Sequence, residues 1–158
     1  MDTTTLFHGS NSNDFTGPVG NYHADLFGGV FASEDETVAA SHASTGAIYT
    51  AELDNKSILT SDALSYDCDY ESVTAAVATE TGLSGSDLEL IVDATIEDEE
   101  TPDGVAELLS VEDDAHASWE LQRLRGVIAK VLGFAAVEMR DEHGTTFLVL
   151  PGIIFNRV

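Results

Sequence analysis

Cysteine is nearly missing from this sequence: Cys68 stands alone among 158 residues. That excludes an internal disulfide, a cysteine-built zinc site and a CxxC redox pair, and Cys68 is read as inert. Basic residues are scarce too, six against 29 acids, for a net charge of -23. Direct nucleic-acid binding is excluded with them, because clustered Lys and Arg are needed to displace counterions from phosphates. No apolar run approaches the roughly 18 residues that cross a bilayer. The start, Met1-Asp2-Thr3-Thr4-Thr5, has neither the basic residues nor the apolar stretch of a signal peptide, so the expected location is the cytoplasm, with no membrane partner. The five histidines, His8, His23, His42, His116 and His143, form no HExxH pair and no three-ligand zinc spacing. There is no GxGxxG, no P-loop lysine motif, nothing resembling a nucleophile elbow, and no repeat or linker.

What is present is enough to fold. Hydrophobic residues make up 43% of the chain and twelve are aromatic, which excludes a disordered acidic tail and predicts one compact domain over residues 1–158. The charge is unevenly spread. Residues 1–122 hold 26 acids and one base, Lys56, whereas residues 123–158 hold Arg123, Arg125, Lys130, Arg140 and Arg157 against Glu138, Asp141 and Glu142. Two readings follow: an acidic face steered onto a basic partner, or acidification suited to high salt.

The pattern along the chain predicts a strand at 4–8, a Gly/Ser/Asn-rich loop at 9–24, and an extended segment at 26–32 whose Gly28-Gly29 admits another backbone or a ligand. Ser33-Glu34-Asp35-Glu36 has capping-box form and predicts a short helix headed by Ser33. Strands are expected at 47–53 and 57–60, and short helices at 70–81, 86–95 and 103–110. Leu121, Leu124, Val127, Ile128 and Val131 recur at threes and fours, predicting a helix from Asp114 to Gly133. Residues 134–139, 140–144 and 145–150 read as strand, turn and strand, with a last edge strand at 153–155. The fold class is α+β, a mixed sheet with helices inserted between its two ends.

Three separated segments carry a resemblance. Leu6-Phe7-His8-Gly9-Ser10 resembles the first-strand motif of ADP-ribosyltransferases of the His-Tyr-Glu group. Leu26 to Ser33, followed by Ala39-Ala40-Ser41-His42-Ala43, is similar to their second motif, and Leu132 to Ile153 to their closing hairpin. With Ser118-Trp119-Glu120-Leu121-Gln122 and Met139 to Thr145, the order also resembles phage anti-CRISPR ADP-ribosyltransferases acting on type I-F Cascade; residues 60–112 match poorly.

The resemblance implies an ADP-ribosyltransferase-like split mixed β-sheet core with inserted helices, working as a monomer in an infected bacterium. It implies an NAD-dependent enzyme that modifies a type I-F Cascade subunit, in the known case at an asparagine needed for reading the PAM. His8 would bind the nicotinamide ribose, the Gly9 backbone the nicotinamide amide, and Ser10 would lie near ribose or phosphates. Phe31 would stack on the nicotinamide, Ser33 would head the following helix, and that helix's amino terminus could help hold the pyrophosphate. Breaking the nicotinamide–ribose bond develops positive charge on the sugar, which a carboxylate stabilises. The usual glutamate position falls near Thr145 or Thr146, which carry no charge, so Asp141 or Glu142 must serve. Asp141 is favoured, because a strand end projects inward while the next residue starts the turn; Glu120, beside Trp119, is a third candidate. Taken alone, Trp119 reads as a boundary or core residue and Asp141-Glu142-His143 as an ordinary polar turn. The rival readings are a noncatalytic acidic inhibitor mimicking nucleic-acid charge and a toxin-type ADP-ribosyltransferase with a cellular target.

Overall fold

The threonine-rich start of the chain forms a long strand, β1 (Thr3–Ser10), pairing antiparallel with β3 (Ala47–Asp54) from Thr3 opposite Asp54 to Ser10 opposite Ala47. In β3, Ala47, Tyr49, Ala51 and Leu53 are buried at every second position, as a half-covered strand requires. The two-residue β7 (Asn156–Arg157) covers the other edge of β3. This is a computed structural model describing residues 2–19, 27–44 and 46–158. Residues 20–26, which include His23, Leu26 and part of the expected 9–24 loop, lie outside the described residues.

A second sheet has the order β2 (Val30–Ala32), β6 (Gly144–Val149), β5 (Ala136–Asp141), β4 (Ile58–Leu59). Only the β4–β5 pair is parallel. The expected mixed sheet is therefore split in two. Among the described residues the halves are tied by one bridge, in which Phe7 and Ser33 exchange backbone hydrogen bonds of 2.7 and 2.9 Å.

The pleat of the second sheet sorts its side chains between two cores. Ala136, Phe147 and Val149 face the first sheet and meet Leu6, Tyr49, Leu53 and Phe155. Val137, Met139 and Leu148 face the helices α2 (Tyr70–Thr81), α3 (Gly85–Glu97) and α5 (Asp114–Val131), meeting Val77, Ile91, Leu124 and Ile128. Each of the larger side chains among these, from Val to Phe, stabilises the fold by about 1.5–3 kcal/mol before entropy is counted. Between α3 and α5 lies the one-turn α4 (Val105–Leu108). No helix among the described residues is long and apolar enough to cross a membrane.

Several boundaries move, each for a local reason. β1 continues through Gly9 and Ser10, expected to be loop, because β3 offers eight partners in register. The helix α1 (Glu36–Ser41) starts later than the capping box suggests. Asp35 is the cap, accepting from the Thr37 N–H at 2.8 Å, while the Ser33 hydroxyl accepts from the Asp35 N–H and the Ser33 backbone serves the bridge to β1. Among the described residues of the segment expected to be extended, only Val30–Ala32 is a strand, because Gly28 turns the chain at φ +73°. The closing hairpin is tighter than expected, since Arg140 and Asp141 remain in β5 and the turn is Glu142-His143 alone. The last pairing falls at Asn156–Arg157 rather than 153–155, with Phe155 buried between the sheets. A π-turn at Ala63–Asp67 was not expected. Val131, an expected core position, is 61% exposed.

Candidate active site

Where the two sheets part, a cleft of about 520 Å³ opens, within the roughly 300–1,000 Å³ of small-molecule sites. β1 gives Phe7, His8 and Gly9, the segment around β2 gives Phe27 and residues 29–33, and α1 gives Val38, Ala39 and His42. α5 adds Trp119 and Gln122, and the closing hairpin adds Asp141, Glu142, His143 and Thr146. Of the residues singled out from sequence, the fold brings His8, Gly9, Phe31, Ser33, Asp141 and Glu142 into one hollow. Ser10 is not among its lining residues, and its hydroxyl accepts from the Ser12 N–H at 3.1 Å.

His8 spans the split. Its Nδ1–H donates to the Phe31 carbonyl at 2.7 Å, which assigns the proton to Nδ1 and directs Nε2 to the opposite side of the ring. The imidazole packs on Phe15, with centroids 4.5 Å apart, and on Phe155 at 6.0 Å. Phe31 lies edge-to-face with Phe27 at 4.8 Å and shares its face of the sheet with Leu148 and the helices. Gly9 admits close packing, because a Cβ there would collide with the Ala39 carbonyl of α1.

Asp141 ends β5 on the face that carries Val137 and Met139, the side on which α5 packs. One of its carboxylate oxygens accepts from the His143 N–H at 2.8 Å and so shapes the turn. Glu142 belongs to the turn itself. Its side chain is 85% exposed, 3.6 Å from His143 Nε2. Glu120 does not line the cleft. It is paired with Arg123, which also grips Glu80, and Glu120 first and Glu80 second hold that guanidinium above its ordinary range.

The amino terminus of α1 is already supplied with an anion. Asp35 accepts from the Thr37 hydroxyl at 2.6 Å as well as from its N–H, and these bonds hold its carboxyl below the ordinary value. This carboxylate takes up the Thr37 N–H, one of the amide groups at that helix end. Among the described lining residues no Lys or Arg appears; the only side chains able to carry positive charge are His8, His42 and His143. Cys68 is remote from this hollow, and burial, with Asp67 nearby, pushes its thiol up, away from reactivity.

Sequence reasoning overlooked Gln122 and His42 and gave Trp119 a bland role. Trp119, 46% exposed, and Gln122 lie three residues apart on one face of α5, next to the buried Leu121 and Leu124 stripe. A large aromatic on the polar side of an amphipathic helix was the available signal. His42 caps the end of α1 and meets the His143 ring at 5.4 Å, a contact no local pattern encodes.

The fold and the sequence both have counterparts among known proteins. A solved structure described as "Crystal structure of an anti-CRISPR protein" superposes with a TM-score of 0.73 at 31% identity, covering 99% of this chain and 96% of that one. No curated protein sequence matches the chain significantly. The family described as "Anti-CRISPR Type I-F ADP-ribosyltransferase AcrIF11" matches residues 4–157. Among the described residues that match takes in both sheets, every helix and all the segments that line the cleft, so the chain belongs to the AcrIF11 family of anti-CRISPR ADP-ribosyltransferases, enzymes for which NAD is the implied co-substrate.

Proposed function

We propose that this cleft binds the nicotinamide end of NAD and that Asp141 stabilises the charge that develops as ADP-ribose is transferred to a protein of the CRISPR machinery. What supports the reading most is that a single hollow is lined by His8 from the first strand and Asp141 from the closing hairpin, with Phe31 beside them. The lining fits the group. Phe27, Phe31 and Trp119 offer flat apolar surface, and Gly9, Gln122 and Asp141 offer a few polar atoms.

In the transfer, the ribose C1′–nicotinamide N1 bond breaks with its electron pair going to nitrogen, and the acceptor side chain bonds to C1′ and loses a proton. The chain's own groups divide this work. Phe31, backed edge-on by Phe27, takes the stacking position, and Gly9 presents its backbone to the amide. His8, fixed in tautomer by the Phe31 carbonyl, directs Nε2 at the ribose hydroxyls. Asp141 supplies a carboxylate at the sugar, where it counts most as positive charge grows. Glu142, exposed in the turn, is the weaker candidate, and the Ser10 and Ser33 hydroxyls shape the local turns by accepting from the Ser12 and Asp35 N–H groups.

The acceptor is assigned to the PAM-reading subunit of type I-F Cascade, and the whole chain acts as one monomeric unit. A surface that contacts DNA is basic, and a protein of net charge -23 is drawn to it. The test is mass spectrometry of Cascade after incubation with the protein and NAD. One subunit is expected to gain a single ADP-ribosyl mass. Inhibition of Cascade with no mass change and no NAD requirement would instead identify a noncatalytic acidic inhibitor.

A further inference from the structure

β5 is unusual at its outer edge. β4 covers it only at Ala136 and Val137, opposite Ile58 and Leu59. From Glu138 to Asp141 no strand lies on the side away from β6 among the described residues, yet these are the residues that lead into the proposed charge-stabilising carboxylate. An edge of this kind leaves alternate main-chain groups to be satisfied. Two side chains do so. Arg125 of α5 donates from Nε to the Glu138 carbonyl at 2.9 Å, and Asp98 accepts the Arg140 N–H at 2.7 Å.

Both side chains are themselves anchored. Arg125, 1% exposed, also donates to the Thr95 and Ile96 carbonyls in the last turn of α3, at 2.9 and 2.8 Å, and to the Ser61 hydroxyl at 2.7 Å. Asp98 caps the end of that same helix in the left-handed region, at φ +51°. Glycine is the favoured residue for such a cap. An aspartate there gives up that preference and in return sets a carboxylate against β5. Burial pushes its carboxyl up, partly offset by Arg125 and by the Arg140 N–H. The carboxylate sits half-buried where it meets this amide.

We infer that Asp98 is a positioning residue for Asp141: it takes the place of the missing strand and pins Arg140, so that the next residue projects from a strand end held on both edges. The inference rests on the reading of Asp141 given above. Its physical basis is that a reacting group displaced by about 1 Å can lose about a hundredfold in rate, and that strand tips held by one neighbour fray.

The informative substitution is Asp98→Gly, because glycine suits the left-handed cap and protects folding while removing the carboxylate. Steady-state release of nicotinamide is measured with full-length protein, NAD and Cascade, beside Asp98→Asn and Asp141→Asn. Asp98→Gly is expected to lower kcat about tenfold or more with KM for NAD within about twofold, at an unchanged or raised Tm. Asp98→Asn, which keeps an acceptor oxygen, restores most of the rate. Hydrogen exchange supplies an independent readout: the Arg140 amide loses protection in Asp98→Gly and regains it in Asp98→Asn. A purely structural cap predicts the reverse, with Asp98→Gly at least as active as the parent. That result, with Asp141→Asn inactive, overturns the positioning role alone. A fully active Asp141→Asn overturns the assignment of the acid, and the positioning role with it.

Discussion

The described lining residues of the cleft all fall within residues 7–42 and 119–146, whereas residues 43–118, which hold β3, β4 and the helices α2 to α4, supply none. The outer stretches carry β1, β2, β5 and β6, with the histidines and carboxylates that face the split between the sheets. The stretch from 60 to 112 carries fifteen acids and no base, and buries Val73, Val77, Ile91 and Val92 against α5 and the second sheet. The contrast teaches a division of labour. Groups that must be held to a fraction of an ångström sit on strands, while the packed helical face lends support and the solvated face of the same helices is left to set the electrostatic field. Within that packed interface lies a buried polar junction, where Arg125 joins the end of α3 to β5.

Breaking that junction has the largest expected effect on stability. Arg125→Met leaves the Thr95, Ile96 and Glu138 carbonyls without their donor and should cost about 3–5 kcal/mol in chemical denaturation, the range for removing one member of a buried charged network. A loss below about 1 kcal/mol would mean the two regions are held by apolar packing alone. Gly9→Ala comes next, since the added methyl meets the Ala39 carbonyl. It should lower stability by about 1–3 kcal/mol and raise KM for NAD, because β1 and α1 are both cleft walls. Ile91→Val, in the helical lobe, should cost about 1 kcal/mol and leave KM unchanged. Similar kinetic effects from both would erase the distinction between the regions. The smallest effect is electrostatic. Raising salt from about 0.05 to about 0.5 M should slow association with the target by roughly tenfold while altering target-free NAD hydrolysis by less than about twofold. Equal sensitivity of the two would remove the steering role of the acidic lobe.

How much of this was legible in the sequence follows the same division. Period-two burial in β3 and the apolar recurrence of α5 set those elements, because one face of each is covered. The turn at Glu142-His143 was read too wide, since Arg140 and Asp141 are polar in a strand whose far edge is completed by side chains rather than by a neighbour. The start of α1 lies later because Ser33 and Asp35 can both cap, and the bridge to Phe7 engages Ser33. His8 and Asp141 were legible only through their segments' joint order. Trp119 and Gln122 approach them through tertiary packing, and Asp98 through a left-handed cap that favours glycine, so neither contact leaves a local mark. The family resemblance, poor over residues 60–112, left the supporting lobe to be read from helix periodicity alone.

The central claim is that the carboxylate at the end of β5 carries the chemistry of a cleft formed by the two ends of the chain. Asp141→Asn tests it most directly, because asparagine keeps an oxygen to accept from the His143 N–H and removes only the charge. Nicotinamide release in the presence of NAD and Cascade is expected to fall at least about a hundredfold, with KM for NAD little changed and Glu142→Gln close to the parent. A rate for Asp141→Asn within about threefold of the parent, a difference of only about 0.7 kcal/mol in the barrier, would contradict the account.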